Sequence, residues 1–243
     1  MIDLNGQTRK QNAIVELIDK ALIAKNGKAA PRNYLGASLL GEECLRKLQF
    51  HFFHVPYDEG KGPDGRILRI FERGNDSEKR MISHLRLAGF DLRTTGKNGR
   101  QFEFSLLDGL IKGHCDGVIV AGPQVIQYPA LWENKCLGAK YWKQLEKERL
   151  KKFSPVYYGQ VQIYMAYFEL TDNPALFTAV NADTEEAYVE LVPFDAETAQ
   201  KVSDAAVTVI KACQAGELLP RLSDDPSFFK CRWCDWHDRC FAL

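Results

Sequence analysis

The chain has 243 residues, with 32 Lys or Arg against 32 Asp or Glu and a formal net charge of zero. Its 45% hydrophobic and 26% charged residues are ordinary for a soluble globular protein, enough for one large domain or two small ones. No apolar run reaches about 18 residues, which excludes a transmembrane helix. The neutral balance leaves nucleic acid open as a partner, since local clustering decides that.

The first residues, "MIDLNGQTRKQNAIVELIDK", hold neither the apolar segment nor the small-residue cleavage site of a signal peptide. A cytoplasmic protein is therefore expected, with no membrane partner. Residues 7–25 read as a helix, with Ile14, Leu17, Ile18 and Leu22 near helical spacing. Packing of this helix on the protein's own core is expected over a role in assembly. Ser38 is the expected N-cap of a helix running through about Phe53, with Glu42 four positions on. The Gly- and Pro-rich stretch 54–66 reads as a loop, followed by an amphipathic helix from about Ile67 to Leu87.

The period then changes. Residues 90–95, 100–107, 110–120 and 130–137 read as strands, separated by "GKNG", "DG" and "AGPQ". Helical sequence spans about 139–169, broken near Ser154-Pro155. Two more strands are expected over 175–180 and 186–194, then a helix from about Ala196 to Ala215 and a cysteine-rich tail. The order predicts an α/β (α+β) fold, a mixed sheet flanked by helices in one domain. Within that domain, residues 1–88 would be a helical N-terminal part, 89–194 the mixed-sheet core, and 195–243 the last helix and tail.

Chemistry concentrates on two neighbouring strands. In "WENKC", Glu133 and Lys135 share one face and Asn134 the other. Asp116, in "GHCDGVIV", lies on the preceding strand, where hairpin pairing brings it alongside Glu133. Carboxylate oxygens suit Mg²⁺ or Mn²⁺. A metal held there polarises a phosphodiester and activates water. Lysine beside it offsets charge developing in the transition state. By itself E-x-K is a common surface ion pair. Asp116 changes that balance, because an acid inside an apolar strand needs a partner. Gln160 and Tyr164 share one helical face and supply hydrogen bonds and an aromatic ring for a nucleic-acid strand. Glu78 follows Gly74 on the preceding helix and is a further carboxylate for the site, with Glu72 a weaker candidate. His114 shares a strand face with Asp116 and is a further candidate to border a metal held there, with a structural histidine as the alternative. Residues 135–152 hold seven Lys or Arg against two Glu, a solvated helix face or a guide for phosphates.

Taken in order, Gly74…Glu78, Gly113-x-x-Asp116, Glu133-Asn134-Lys135 and Gln160-x-x-x-Tyr164 resemble the PD-(D/E)XK nuclease superfamily, in its RecB-like branch. The resemblance covers roughly residues 34–240. It implies a restriction-endonuclease-like core and metal-dependent DNA hydrolysis. Asp116, Glu133, the Asn134 backbone carbonyl and Glu78 would bind Mg²⁺ or Mn²⁺. Lys135 would be catalytic, and Gln160 and Tyr164 would hold DNA. An exonuclease on single strands or DNA ends is expected over an endonuclease. The alternative is a DNA-binding or assembly subunit that keeps the fold without turnover. CRISPR adaptation proteins or the recombinase of a phage or repair system are the partners implied, and an oligomer is compatible with either.

The tail "CRWCDWHDRC" raises a second site. Seven cysteines, an odd number in a chain expected to be cytoplasmic, argue against a disulfide framework. A RecB-like subgroup, which includes CRISPR-associated adaptation exonucleases and AddB-type helicase–nucleases, holds an iron–sulfur cluster on one early and three late cysteines. Here these would be Cys44, Cys231, Cys234 and Cys240, with Ser38 and Arg46 matching the context of the first. Four thiolates are the usual ligands of a 4Fe-4S cluster, and such a cluster would clamp the chain's two parts together. Zinc on the same four cysteines, or on Cys231, Cys234, His237 and Cys240, stands as the alternative. Cys115, Cys136 and Cys213 read as buried small apolar residues. Trp233 and Trp236 read as packing around the metal.

Overall fold

A computed structural model describes residues 9–28 and 30–243. Helices α1 (Arg9–Gly27), α2 (Leu45–Phe52) and α3 (Gly65–Leu87) precede most of the strands. The strands are β1 (Leu35–Gly36), β2 (Asp91–Arg93), β3 (Glu103–Leu106), β4 (Ile111–His114), β5 (Gly117–Ala121) and β6 (Ala130–Leu137). Helices α4 (Ala139–Phe153) and α5 (Pro155–Tyr167) connect β6 to β7 (Ala175–Asn181) and β8 (Ala187–Val192). The chain closes with α6 (Ala196–Ala215), α7 (Phe229–Arg232) and α8 (His237–Ala242). The mixed α/β class expected from the sequence is the class observed.

The strands form two sheets rather than one. A five-stranded sheet runs β2-β5-β6-β7-β8, parallel only between β6 and β7, and a three-stranded sheet runs β1-β4-β3. Helix α3 covers one face of the larger sheet, where Met81, Ile82 and Leu85 pack against Trp132, Leu92, Ile119 and Leu176. The other face carries Leu131 and Phe177 and packs with Val161 of α5 and Val209 of α6. Strand β7 is buried along its whole length, as a strand covered on both faces must be.

Three expectations change. Residues 110–120 are two strands in different sheets, with the break at Cys115-Asp116. The Cys115 carbonyl accepts from Gln101 Nε2 at 3.1 Å and the Asn134 N–H donates to the Asp116 carboxylate, so two main-chain groups at the break pair with side chains. The helix expected from Ser38 starts instead at Leu45, with Cys44 at its N-cap; Ala37–Leu39 form a 3₁₀ turn. The reason is Gly41, where a Cβ would stand 2.5 Å from Val156 Cα. Close packing of Gly41 on the start of α5 bends the chain before α2 begins.

The third change concerns α1, whose expected residues 7 and 8 lie outside the described residues. Ile14, Leu17 and Ile18 are exposed rather than packed on the core. The helix meets α3 through Arg69–Asp19 and Lys25–Glu72 ion pairs. The break at Ser154-Pro155 stands as expected: the Ser154 hydroxyl accepts the Tyr157 N–H and caps α5.

Candidate active site and cysteine cavity

Glu78, His114, Asp116, Glu133, Asn134, Lys135, Gln160 and Tyr164 line one cavity of about 660 Å³. Register explains the central pair. The β5–β6 ladder ends at Gly117–Trp132, so Asp116 stands one step beyond it, opposite Glu133. Its Oδ2 accepts the Asn134 N–H at 2.8 Å, which holds the carboxylate against β6. Alternation along β6 puts Glu133 and Lys135 on one face, with Lys135 Nζ 2.5 Å from Glu133 Oε1. Asn134 turns its side chain to Thr178 Oγ1, at 2.8 Å, on the other face.

Glu133 Oε2 is buried and has no hydrogen-bond partner. An unpaired buried carboxylate oxygen is costly, so it points to a ligand that the protein atoms do not supply. Electrostatics agree. Burial, with Asp116 close by, raises the Glu133 carboxyl to about 8. Burial and Asp116 likewise raise Glu78 to about 7. Burial raises Asp116, and Lys135 and the Asn134 N–H only partly offset it. Burial pulls the Lys135 ammonium down, yet Glu133 and Asp116 together hold it above its ordinary value. Lys135 is the cation that acts on all three carboxyls. The donor set, oxygens only, suits a hard divalent cation.

Helix α5 supplies the opposite wall. Gln160 Nε2 donates to Tyr164 OH at 3.3 Å, and Lys135 Nζ lies 5.1 Å from the Tyr157 ring centre. Tyr164 approaches because residue 113 is Gly: a Cβ there would stand 2.7 Å from Tyr164 Cε1 and closer still to Phe104 Cε1. His114 lines the cavity but is paired, its Nε2 2.8 Å from Glu103 Oε2. Glu72 is held at the surface by Lys25. Sequence reasoning missed Arg32, Tyr34, Phe71 and Lys112, which line the same cavity. Lys112 was legible, two residues before His114 on one strand face. The cavity draws no lining residue from the basic helix 140–152.

The four cysteines that the resemblance singles out also come together. Cys44, Cys231, Cys234 and Cys240 line a second cavity of about 940 Å³, with His237 at its edge. Cys44 caps α2, Cys231 lies on α7 and Cys240 on α8. Burial, with Cys44 nearby, raises the Cys231 thiol. Buried Arg46 directs Nη1 to Cys240 Sγ at 3.6 Å and donates Nε to the Leu219 carbonyl at 2.7 Å. The tail is seated by Trp236, 1% exposed, whose Nε1 donates to the Val55 carbonyl, and by Asp58, which accepts the Asp238 and Arg239 N–H groups of α8. Trp233 differs from expectation: it is 70% exposed, under Arg232, and packs around nothing. Cys115 and Cys213 are buried; Cys136 is half-buried and borders the carboxylate cavity. Among the described residues, no three His, Cys, Asp or Glu side chains are already drawn to metal-ligand distances around one point.

No protein-family model matches this chain, and no curated protein matches it either. Solved structures do. The crystal structure of SSO0001 is 16% identical, with a TM-score of 0.50, over 93% of this chain and 96% of that one. An alkaline exonuclease, LHK-Exo from Laribacter hongkongensis, is 13% identical with a TM-score of 0.52, over 81% of this chain and 93% of that one. The same enzyme in complex with dAMP gives 15%, 0.51, 79% and 93%. At these identities the likeness is one of fold, shared with SSO0001 and with the alkaline exonuclease. Among the described residues, no helix is long and apolar enough to cross a membrane.

Proposed function

We propose that this protein is a Mg²⁺- or Mn²⁺-dependent DNA exonuclease acting on single strands or DNA ends. One observation carries the reading: Glu133, whose buried Oε2 has no hydrogen-bond partner, lines one cavity with Asp116, Glu78 and Lys135. Asp116, Glu133 and Glu78, with the Asn134 carbonyl, would hold the cation. When bound, the cation supplies a polarised phosphodiester and an activated water. Lys135 remains protonated between Glu133 and Asp116, offsets charge that grows on the phosphate and orients the attacking water. Gln160 and Tyr164 hold the strand against this group, and the walls of α3 and α5 limit bulk water. The nuclease fold shared with an exonuclease supports the reading without carrying it.

Cys44, Cys231, Cys234 and Cys240 would hold a 4Fe-4S cluster, with a structural role first. Arg46 directs Nη1 to Cys240 Sγ, the kind of outer contact that orients a cluster ligand. An anaerobic absorption spectrum with iron and sulfide analysis tests this. A colourless, zinc-loaded protein overturns the cluster and leaves the carboxylate site standing.

The nuclease assay uses labelled linear and circular single strands, and duplexes, titrated with Mg²⁺ and Mn²⁺. Metal-dependent loss of linear DNA with circles spared is the expected result. Degradation of circles overturns the exonuclease assignment. Tight DNA binding without hydrolysis in any metal would make the protein a binding or assembly subunit instead.

A further inference from the structure

The carboxylate cavity has a second chemistry at its mouth that the catalytic reading leaves unused. Tyr34 carries two cations over its ring, Arg32 with Cζ 5.9 Å and Lys112 with Nζ 5.5 Å from the centroid. Phe71, from α3, lines the same cavity and is 57% exposed. Between Phe71 and Glu78 lies Gly74, where an added Cβ would meet nothing within 4 Å, so the cavity stays open there. The charges are sorted by depth: Glu133 is almost fully buried, whereas Arg32 is exposed and Lys112 half-exposed. The nearest acid, Glu103, is taken mainly by His114, and its approach to Lys112 is a loose 3.9 Å.

We infer that this mouth is a binding site for an unpaired DNA strand, Phe71 stacking on a base while Arg32 and Lys112, braced on Tyr34, take the adjoining phosphates. The inference rests on the nuclease reading of the cavity and names what that cavity admits. The physics separates a single strand from a duplex. Within a duplex, neighbouring bases cover both faces of every interior base and a blunt end offers one face only; an unstacked strand offers a face at each nucleotide. An exposed Phe at a site mouth has no hydrogen bond to satisfy and gains by covering its ring. Phosphates need mobile cations within reach of solvent, which Arg32 and Lys112 are.

Fluorescence anisotropy with a labelled single-stranded oligonucleotide, in EDTA and across a salt series, tests the inference without turnover. Phe71→Ala is expected to bind about tenfold more weakly, with the salt slope kept. Arg32→Gln with Lys112→Gln is expected to flatten the slope by about 0.7 for each phosphate left without its cation. A blunt hairpin of the same length is expected to bind more weakly than the single strand, and Phe71→Trp to restore binding. The altered side chains all reach solvent, and a thermal melt matched to wild type accompanies each variant. Wild-type binding in the variants, or equal affinity for the blunt hairpin, overturns the inference. Wild-type protein that binds strands through these residues but hydrolyses none in Mg²⁺ or Mn²⁺ leaves the mouth standing and removes the nuclease reading.

Discussion

At the residue scale the protein is explained by three acids that burden each other. Asp116, Glu133 and Glu78 share a cavity with Lys135; burial holds all three carboxyls above their ordinary values, and Asp116 adds repulsion at Glu133 and Glu78. In the metal-free protein, Glu133 titrates near 8 when folded against 4.5 ordinarily, so the folded state holds the extra proton across that window. Stability contributed by these carboxyls is therefore present below pH 4.5 and lost as pH rises toward 8. Lys135 does not titrate there and leaves the sign unchanged. Thermal melts of metal-free protein are expected to fall between those pH values, and saturating Mg²⁺ to raise the melting temperature most at the alkaline end. A melting temperature that rises with pH in EDTA would contradict this. At Gly113 the expectation is steric. Gly113→Ala drives a Cβ into Phe104 and Tyr164 and is expected to cost about 1–3 kcal/mol, measured by denaturant unfolding. It also displaces Tyr164 from its place over the cavity.

At the element scale, the sequence pattern was most legible where one period persists. Strand β6 was expected at 130–137 and spans Ala130–Leu137; α6 was expected at 196–215 and spans Ala196–Ala215. The shared face of Glu133 and Lys135 followed from strand alternation alone. What could not be read was long-range. Gly41 packs on Val156, 115 positions further along the chain, and stops a helix that local propensity would start at Ser38. The split of 110–120 depends on an Asp116 carboxylate that takes a main-chain N–H of another strand. The exposed apolar face of α1 was unreadable for the same reason, since its periodicity reports amphipathicity and not what covers it. The tail offers an element-scale prediction. Trp236 is buried against Phe50, His51 and Tyr57, and Trp236→Ala is expected to cost about 3–5 kcal/mol and to loosen the cysteine cavity. Iron content and melting temperature measured on the same sample check both parts.

On the scale of the whole molecule, two ties close the fold. One is the pairing of β1 with β4, which joins the N-terminal part to the strand leading into Asp116. The other is the cavity that gathers Cys44 with Cys231, Cys234 and Cys240, which lie 187 or more positions further along the chain. The proposed cluster, if bound there, would contribute to folding free energy, because no such site exists in the unfolded chain. Cys44→Ser is expected to lower the iron content and the melting temperature together, while residual folded protein keeps its carboxylate site. Loss of activity from Cys44→Ser with iron and melting temperature intact would assign that cysteine a role in the chemistry instead.

The claim on which the account turns is that Asp116, Glu133 and Lys135 form a metal-dependent hydrolytic centre. Degradation of end-labelled linear single-stranded DNA against Mn²⁺ concentration, for wild type, Asp116→Asn and Lys135→Ala with matched thermal melts, tests it most directly. Wild type is expected to show saturable, chelator-sensitive hydrolysis, and each variant a loss of about 10²-fold or more. Full activity in either folded variant, or wild-type hydrolysis that persists in EDTA, would contradict it.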